Sequence, residues 1–439
     1  MSLGCARNRV DSEVMLGLLW HDGWSFTENP EQASVIVVNT CSFIDPAKEE
    51  SIEQILEAAS YKERFPDLKL VVTGCLTQRY KEELVSELPE VDLFIGTDEF
   101  PKIAEFLRTL PAKGTVHADR TSYIYSHELP RINTQHPGSA YVKISEGCQH
   151  RCSFCVIPLI RGPLRSRSVE SIHQEVLELV KTGVVEINLI AQDLTAFARE
   201  KSGSSESLPA LIKSLASIKD LEWIRLLYAY PENIDNKLLT LLREEPKLVK
   251  YLDIPIQHAS NKILKLMSRA IDQESLRNTI KKIRKTIPEI AIRTSVMVGF
   301  PGETEADFDE LKQFVSDMHF EHLGCFVYSR EEETRAAAMP DQIDDSTKNR
   351  RSNEIMKLQR AISKKYLKSF IGRTLPILVE GPHRETPLLW QGRLSTQAPE
   401  VDGVVIINEG NPIQGKIQSV RVTGTHDYDL VGTVENWHL

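Results

Sequence analysis

The 439-residue chain has no uninterrupted apolar run of about 18 residues, the length at which a segment reads as a membrane-spanning helix. Its N-terminus lacks the basic-then-apolar pattern of a secretory signal. From these two absences the expectation is a cytoplasmic protein. Positive charge is also in deficit: Lys and Arg number 53 against 62 Asp and Glu, a net charge of −9. A protein that coats nucleic acid non-specifically needs a basic surface to displace counterions, so that class is disfavoured. Repeats and low-complexity tracts are absent. Cysteine is scarce, with seven in the whole chain, and in a reducing compartment closely spaced cysteines read as metal ligands and not as disulfides.

What is present is organised in three parts, as the length prior of about three domains anticipates. Segment 1–111 alternates β-branched runs (34–39, 69–73 and 91–96) with helical patterns. One helix spans 46–59, with Ile52, Ile55, Leu56 and Ala59 on one face and Asp45 at the N-cap. The alternation predicts an α/β domain with a parallel, Rossmann-like doubly wound sheet. From 112 to 140 the periodicity fades, and Pro130, Pro137 and Gly138 mark a linker. Segment 134–368 offers six strands, at 141–145, 185–191, 223–228, 251–256, 292–299 and 322–328, with helices between them. One of these helices starts at Ser168 and stops at Gly183. Six βα units in series predict an open, partial (β/α)6 barrel, closed off by a charged helix over 344–370. Segment 371–437 has short strands (404–408, 420–423) and no helical pattern, which predicts a small all-β barrel.

The strongest chemical signal is Cys148-Gln149-His150-Arg151-Cys152-Ser153-Phe154-Cys155, a C-x3-C-x2-C triplet just past a strand. Three thiolates this close suit three corners of a cubane cluster, and the missing fourth leaves one iron open to a small molecule. A closed zinc site is the competing reading, but it needs four ligands, and no second pair of cysteines lies nearby. Cys5, Cys41 and Cys75 look unrelated in sequence, yet each follows an apolar run or a glycine: Leu3-Gly4-Cys5, Val38-Asn39-Thr40-Cys41 and Val72-Thr73-Gly74-Cys75. Neighbouring parallel strands bring their carboxyl ends to one crevice, so these three can gather around a second cluster. Buried core thiols are the alternative, and for Cys325, inside a strand, that alternative is preferred.

The triplet resembles the signature of the radical S-adenosylmethionine (SAM) superfamily. Two three-cysteine sets, a Rossmann-like front domain and a barrel like the TRAM domain together resemble, over the whole chain, the radical SAM methylthiotransferases. The likeness is greatest to the RimO branch, which modifies an aspartate of the twelfth protein of the small ribosomal subunit. Carrying it are Ser2-Leu3-Gly4-Cys5 with Asn8 and Val10-Asp11-Ser12-Glu13, then Asn39-Thr40-Cys41, Ile160-Arg161-Gly162, Arg165-Ser166-Arg167 and Ala191-Gln192-Asp193. By this resemblance, a 4Fe–4S cluster on Cys148, Cys152 and Cys155 cleaves SAM. A second 4Fe–4S cluster, on Cys5, Cys41 and Cys75, carries the sulfur. An external electron donor and a sulfur donor are implied as partners. No catalytic residue beyond the cluster ligands is implied. Met1 directly precedes Ser-Leu-Gly-Cys, where the family has a full strand, so a shortened first strand is expected.

Glu186, Gln192, Gly299 and Gly302, near strand ends, are candidate SAM contacts, with ordinary turns as the alternative for Gln192 and the glycines. Arg161, Arg165 and Arg167 offer guanidinium groups for the SAM carboxylate or for acidic substrate groups, against a solvated basic loop. His258 reads as a structural histidine. On the substrate, residues 371–439 hold five basic and eight acidic side chains, a net of −3. An RNA-binding barrel should be basic, so the count favours a basic protein partner. Trp390 and Trp437 read as core. Two alternatives stay open: a transfer-RNA adenosine substrate, as in sister branches, and a non-catalytic iron–sulfur sensor.

Overall fold

Residues 1–119, 123–201 and 203–435 are described in the computed structural model, and they divide into two units. The first gathers Met1–Thr134, Lys143–Ile172 and Ser329–Ala337; the second gathers Gln135–Val142, His173–Tyr328 and the chain from Ala338 onward.

In the first unit the β-branched runs form a parallel sheet of β1 (Val35–Thr40), β2 (Lys69–Gly74), β3 (Leu93–Ile95) and β4 (Thr115–His117). The order β1-β2-β3-β4 has no reversal, so cysteines at strand ends meet by adjacency and not at a switch point. Residues Met1–Leu3 extend the sheet past β1: Asn39 N–H donates to Met1 O and Leu3 N–H to Asn39 O, each at 2.9 Å. The segment ahead of Cys5 is therefore paired with β1. Alternation does the rest. Ile36, Val38, Leu70, Val72 and Phe94 share an apolar cluster with Ile55, Ala58 and Ala59 of the helix Asp45–Arg64, each of the side chains larger than alanine contributing roughly 1.5–3 kcal/mol when fully buried.

Two expectations for this region are corrected. Asp45 is the first residue of its helix and not its cap; Ile44 holds the cap position without a side-chain bond. The supposed linker contains β4, a strand of three residues and too short to show a period. Its later part is docked on the helix Ala6–His21: Arg131 Nε donates to Glu13 Oε2 at 2.8 Å and Thr134 N–H to Glu13 Oε1 at 2.8 Å.

The strand β5 (Ser139–Lys143) is followed by a short antiparallel pair, β6 (Ser145–Glu146) and β7 (Arg165–Ser166), which brackets residues 147–164. Then come β8 (Glu186–Ile190), β9 (Trp223–Leu226), β10 (Leu248–Asp253), β11 (Ala291–Val298) and β12 (His322–Val327). They make an open six-stranded sheet ordered β12-β11-β10-β9-β8-β5, with parallel pairing from β8 through β12. All six predicted strands of the partial barrel are in it. The intervening helix Val169–Lys181 begins where expected, Ser168 Oγ accepting from Ser171 N–H at 3.1 Å. The long helix Asp345–Lys368 is capped by Asp344.

The tail forms a closed five-stranded barrel of β13 (Thr374–His383), β14 (Thr386–Leu394), β15 (Val405–Glu409), β16 (Ile417–Thr425) and β17 (Leu430–Val434). Leu367 and Phe370 plug its core, and Trp390 packs against it half-buried, a filling role; Trp437 lies outside the described residues. Among the described residues no helix is long and apolar enough to cross a membrane.

Candidate metal centres

Both cysteine triads belong to the first unit. The triplet sits in the loop clamped by β6 and β7. Cys148 N–H donates to Gly162 O at 3.1 Å and Cys155 N–H to Cys152 O at 3.2 Å. Gly147 turns the chain into this loop with φ +77°, and a Cβ there would lie 2.1 Å from Pro163 O, so only glycine fits. Ala336 N–H donates to Ser153 O at 2.8 Å, which pins the loop from the 329–337 segment. The three cysteines are half-buried. Burial, with Cys152 and Cys148 adding to it, pushes the Cys155 thiol up to about 12.

The isolated cysteines also meet. Cys5 caps the helix Ala6–His21, Cys41 follows β1, and Cys75 begins the helix Cys75–Tyr80 straight after β2. Asn39 Nδ2 donates to Asn8 O (2.9 Å) and Ser12 Oγ (2.8 Å), while Asn8 Nδ2 donates to Thr40 O at 2.7 Å. Ser51 Oγ accepts from Cys41 N–H at 3.1 Å. A Cβ on Gly4 would stand 2.6 Å from the Cβ of Cys41. Burial and the neighbouring Cys75 and Cys5 push the Cys41 thiol up to about 12, and burial raises Cys75 as well. Cys5 goes the other way: burial opposes its ionisation, but the Arg7 charge and the Asn8 N–H outweigh it. Arg7 also acts on Cys155, so one cation lies within electrostatic reach of both triads.

Gly74 has φ +97° and ψ −151°, backbone that essentially only glycine adopts, and a Cβ would sit 2.3 Å from Asn39 Oδ1. Gly74→Ala is therefore expected to cost on the order of 1–3 kcal/mol and to loosen Cys75. Denaturant titration should show that loss of stability, and stability equal to the parent would contradict the prediction.

A charged cage adjoins the isolated cysteines, and sequence reasoning did not foresee it. Asp11 and Glu146 accept from both Lys143 and Arg161. Arg161 Nη1 stands 2.8 Å from Asp11 Oδ2 and 3.3 Å from Glu146 Oε2; Lys143 Nζ stands 2.7 Å from Glu146 Oε2. Arg161 Nη2 donates to Asn8 Oδ1 at 2.6 Å and lies 3.4 Å from Cys75 Sγ. Val156 and Ile160, on the triplet's side of the chain, pack on Cys75. The run Val10-Asp11-Ser12-Glu13 was the available signal: Asp11 enters the cage, Ser12 orients Asn39 and Glu13 holds Arg131.

For the three arginines the solvated-loop alternative is corrected. Arg161 is 3% exposed and fully engaged in the cage; Arg165 pairs with Asp98 at 3.4 Å; Arg167 donates to Lys143 O and Ser171 Oγ. None is a solvated loop cation. Glu186 is corrected too. It opens β8 at the strand's N-terminal end, unexposed, with Arg225 Nη2 2.9 Å from Oε1, Arg393 Nη2 2.6 Å from Oε2 and Ser139 Oγ 2.8 Å from Oε2. Those partners hold it below the usual carboxylate range, at about 2, against the opposing effect of burial. Gln192 lies half-buried two residues past the C-terminal end of β8, where Asp193 accepts from Thr195 N–H as a turn cap. Gly299 (φ +74°) and Gly302 (φ +79°) form the turn after β11; Gly299 and Phe300 N–H donate to Glu303 Oε2. His258 is buried, accepts from Ser260 N–H at 2.9 Å and is pushed down to about 3 by burial, as a structural histidine should be. Cys325 stands apart in β12, its thiol raised to about 12 by burial.

Among the described residues, no three His, Cys, Asp or Glu side chains close on a point narrow enough for one metal ion. A cubane asks for something wider, one thiolate on each of three irons, and each triad offers three sulfurs and no fourth. The donor sets fit two such clusters.

Matches to known proteins divide along the same lines. The uncharacterized protein family UPF0004 matches residues 1–96, the radical SAM superfamily 142–315 and the TRAM domain 371–434. The ribosomal protein uS12 methylthiotransferase RimO of Syntrophotalea carbinolica is 46% identical over 436 residues, covering 99% of this chain and 96% of that protein. Its namesake from Citrifermentans bemidjiense is 48% identical, over 99% and 97%. Among solved structures, the radical SAM methyltransferase TsrM from Kitasatospora setae aligns with TM-score 0.52 at 14% identity, over 76% of this chain and 71% of that one. The cobalamin-dependent radical enzyme OxsB aligns with TM-score 0.51 at 12% identity, over 79% and 53%; both likenesses concern the fold alone.

Proposed function

The chain belongs to the RimO family of radical SAM methylthiotransferases, and on that premise we propose that it inserts a methylthio group at the β-carbon of an aspartate in ribosomal protein uS12. The observation that carries this reading is the assembly, within one unit, of two separate cysteine triads, each one ligand short of a closed site. Cys148, Cys152 and Cys155 would hold a 4Fe–4S cluster that would supply one-electron chemistry toward SAM, and Cys5, Cys41 and Cys75 would hold a second that would supply the site for sulfur.

The chain's own residues hold these groups and keep water away. The β6–β7 clamp and Gly147 fix the triplet; Asn8, Asn39 and Ser51 fix the backbone at Cys5, Cys41 and Cys75. Gln192, Gly299 and Gly302, just past the C-terminal ends of β8 and β11, are our candidates for SAM contacts. Electrons come from an external donor and sulfur from a separate one.

Charge supports a basic protein substrate. Glu380 and Arg393 pair with one another inside the tail barrel, and Asp402 is held by Arg293. The tail then keeps four basic and six acidic side chains outside those pairs. Such a surface complements a basic ribosomal protein better than a phosphate backbone.

The test is an anaerobic incubation of reduced, iron-replete protein with SAM, sulfide and a uS12 peptide. 5′-Deoxyadenosine and S-adenosylhomocysteine should accumulate in step with loss of the peptide. No 5′-deoxyadenosine from iron-replete protein would overturn the reading.

A further inference from the structure

Arg161 stands on the loop of one triad and touches a ligand of the other. Four of its contacts are polar: Asn8 Oδ1 at 2.6 Å, Asp11 Oδ2 at 2.8 Å, Glu146 Oε2 at 3.3 Å and Cys75 Sγ at 3.4 Å. Lys143 donates to the same two carboxylates, so the cage contains two cations and two anions and is neutral as a whole. Of the four, Arg161 acts on the neighbouring sulfur most directly, through an N–H aimed at Cys75 Sγ in a site that excludes water.

Hydrogen bonds to a cluster's cysteine sulfurs are among the features that set its reduction potential, because they favour the more negative, reduced form. A guanidinium suits the place for a geometric reason. One planar fork gives Nη1 to the two carboxylates and Nη2 to Asn8 and the sulfur, whereas a lysine ammonium is a single point on a flexible stem. A lysine at position 161 keeps the cage neutral but cannot hold both sides together.

Resting on the reading that Cys5, Cys41 and Cys75 bind a cluster, we propose that Arg161 is a positioning residue that raises the reduction potential of that cluster through its bond to Cys75. The side chain is carried by the loop of one triad and acts on a ligand of the other.

The experiment uses the full chain with Cys148, Cys152 and Cys155 all changed to Ala, which leaves iron on one triad only. A redox titration followed by the EPR signal of the reduced cluster gives its midpoint. Arg161→Gln should retain the parent's iron and shift the midpoint to a more negative potential, with Arg161→Lys shifted in the same direction by less. An unchanged or more positive midpoint in iron-loaded Arg161→Gln overturns the proposal. Should that variant fail to fold, Arg161→Lys decides: a negative shift supports the role, and a midpoint equal to the parent's overturns it. A parent that binds no iron is a distinct result, which removes the cluster reading and this proposal with it.

Discussion

Protein in which Cys148, Cys152 and Cys155 are all replaced by alanine is expected to keep about half of the parent's iron and to lose all reductive cleavage of SAM. The two triads are held by different backbone and side-chain anchors. The triplet lies in a loop closed by β6 and β7, and its backbone bonds (Cys148 to Gly162, Cys155 to Cys152) involve main-chain atoms that an alanine preserves. The other three cysteines are anchored by Asn8, Asn39 and Ser51, none of which contacts a triplet side chain through the bonds described above. Removing one set of thiolates therefore leaves the other standing. The converse variant, Cys5, Cys41 and Cys75 to alanine, should also keep about half the iron, but it should still form 5′-deoxyadenosine and lose methylthio transfer. Iron and acid-labile sulfide analysis with 5′-deoxyadenosine quantification checks both. Loss of all iron from either variant would mean that the six cysteines form one centre.

The second large effect is on stability. Glu186→Gln should destabilise the second unit by about 3–5 kcal/mol, because it leaves Arg225 and Arg393 buried with their common counter-charge gone. The chain of charges runs Glu380–Arg393–Glu186–Arg225, from the tail barrel into β8 and β9, and each member is almost unexposed. The paired variant Glu186→Leu with Arg225→Met should cost less than the single change, since it removes opposite charges together and leaves Arg393 paired with Glu380. The pH dependence has a defined sign. Glu186 titrates at about 2 in the folded chain, below an unfolded value of about 4.3, so its stabilisation is complete above the unfolded value. It is lost as pH falls from about 4.3 toward 2, and Glu186→Gln should flatten that limb of the acid-unfolding curve. Denaturant titrations at neutral and acid pH measure both. If the folded variant instead showed native stability and a raised KM for SAM, Glu186 would be a SAM contact after all.

The sequence disclosed chemistry where ligands are local and concealed it where partners are distant. Cys148, Cys152 and Cys155 lie within eight residues, so spacing alone exposes them. Cys5, Cys41 and Cys75 were legible through a rule of topology, that parallel neighbours end together, and the adjacency of Met1–Leu3, β1 and β2 satisfies that rule even without a switch point. Charged residues were read least well. Charge near a strand end or a cysteine loop suggests a ligand contact for Glu186, and a ligand contact or a solvated cation for Arg161. Their partners, Asp11 at 150 residues' distance and Arg393 at 207, become visible only in the folded chain. Short elements were hidden for a different reason: β4 has three residues, fewer than a period needs to declare itself.

The central claim, methylthiolation of a uS12 aspartate, is tested most directly by mass spectrometry of the product. Iron-replete, reduced protein would receive SAM and sulfide, with a uS12 peptide in one reaction and unmodified transfer RNA in another. The expected product carries a methylthio group on the β-carbon of the peptide's aspartate, with none on the RNA; an adduct on the RNA alone would overturn the proposed substrate.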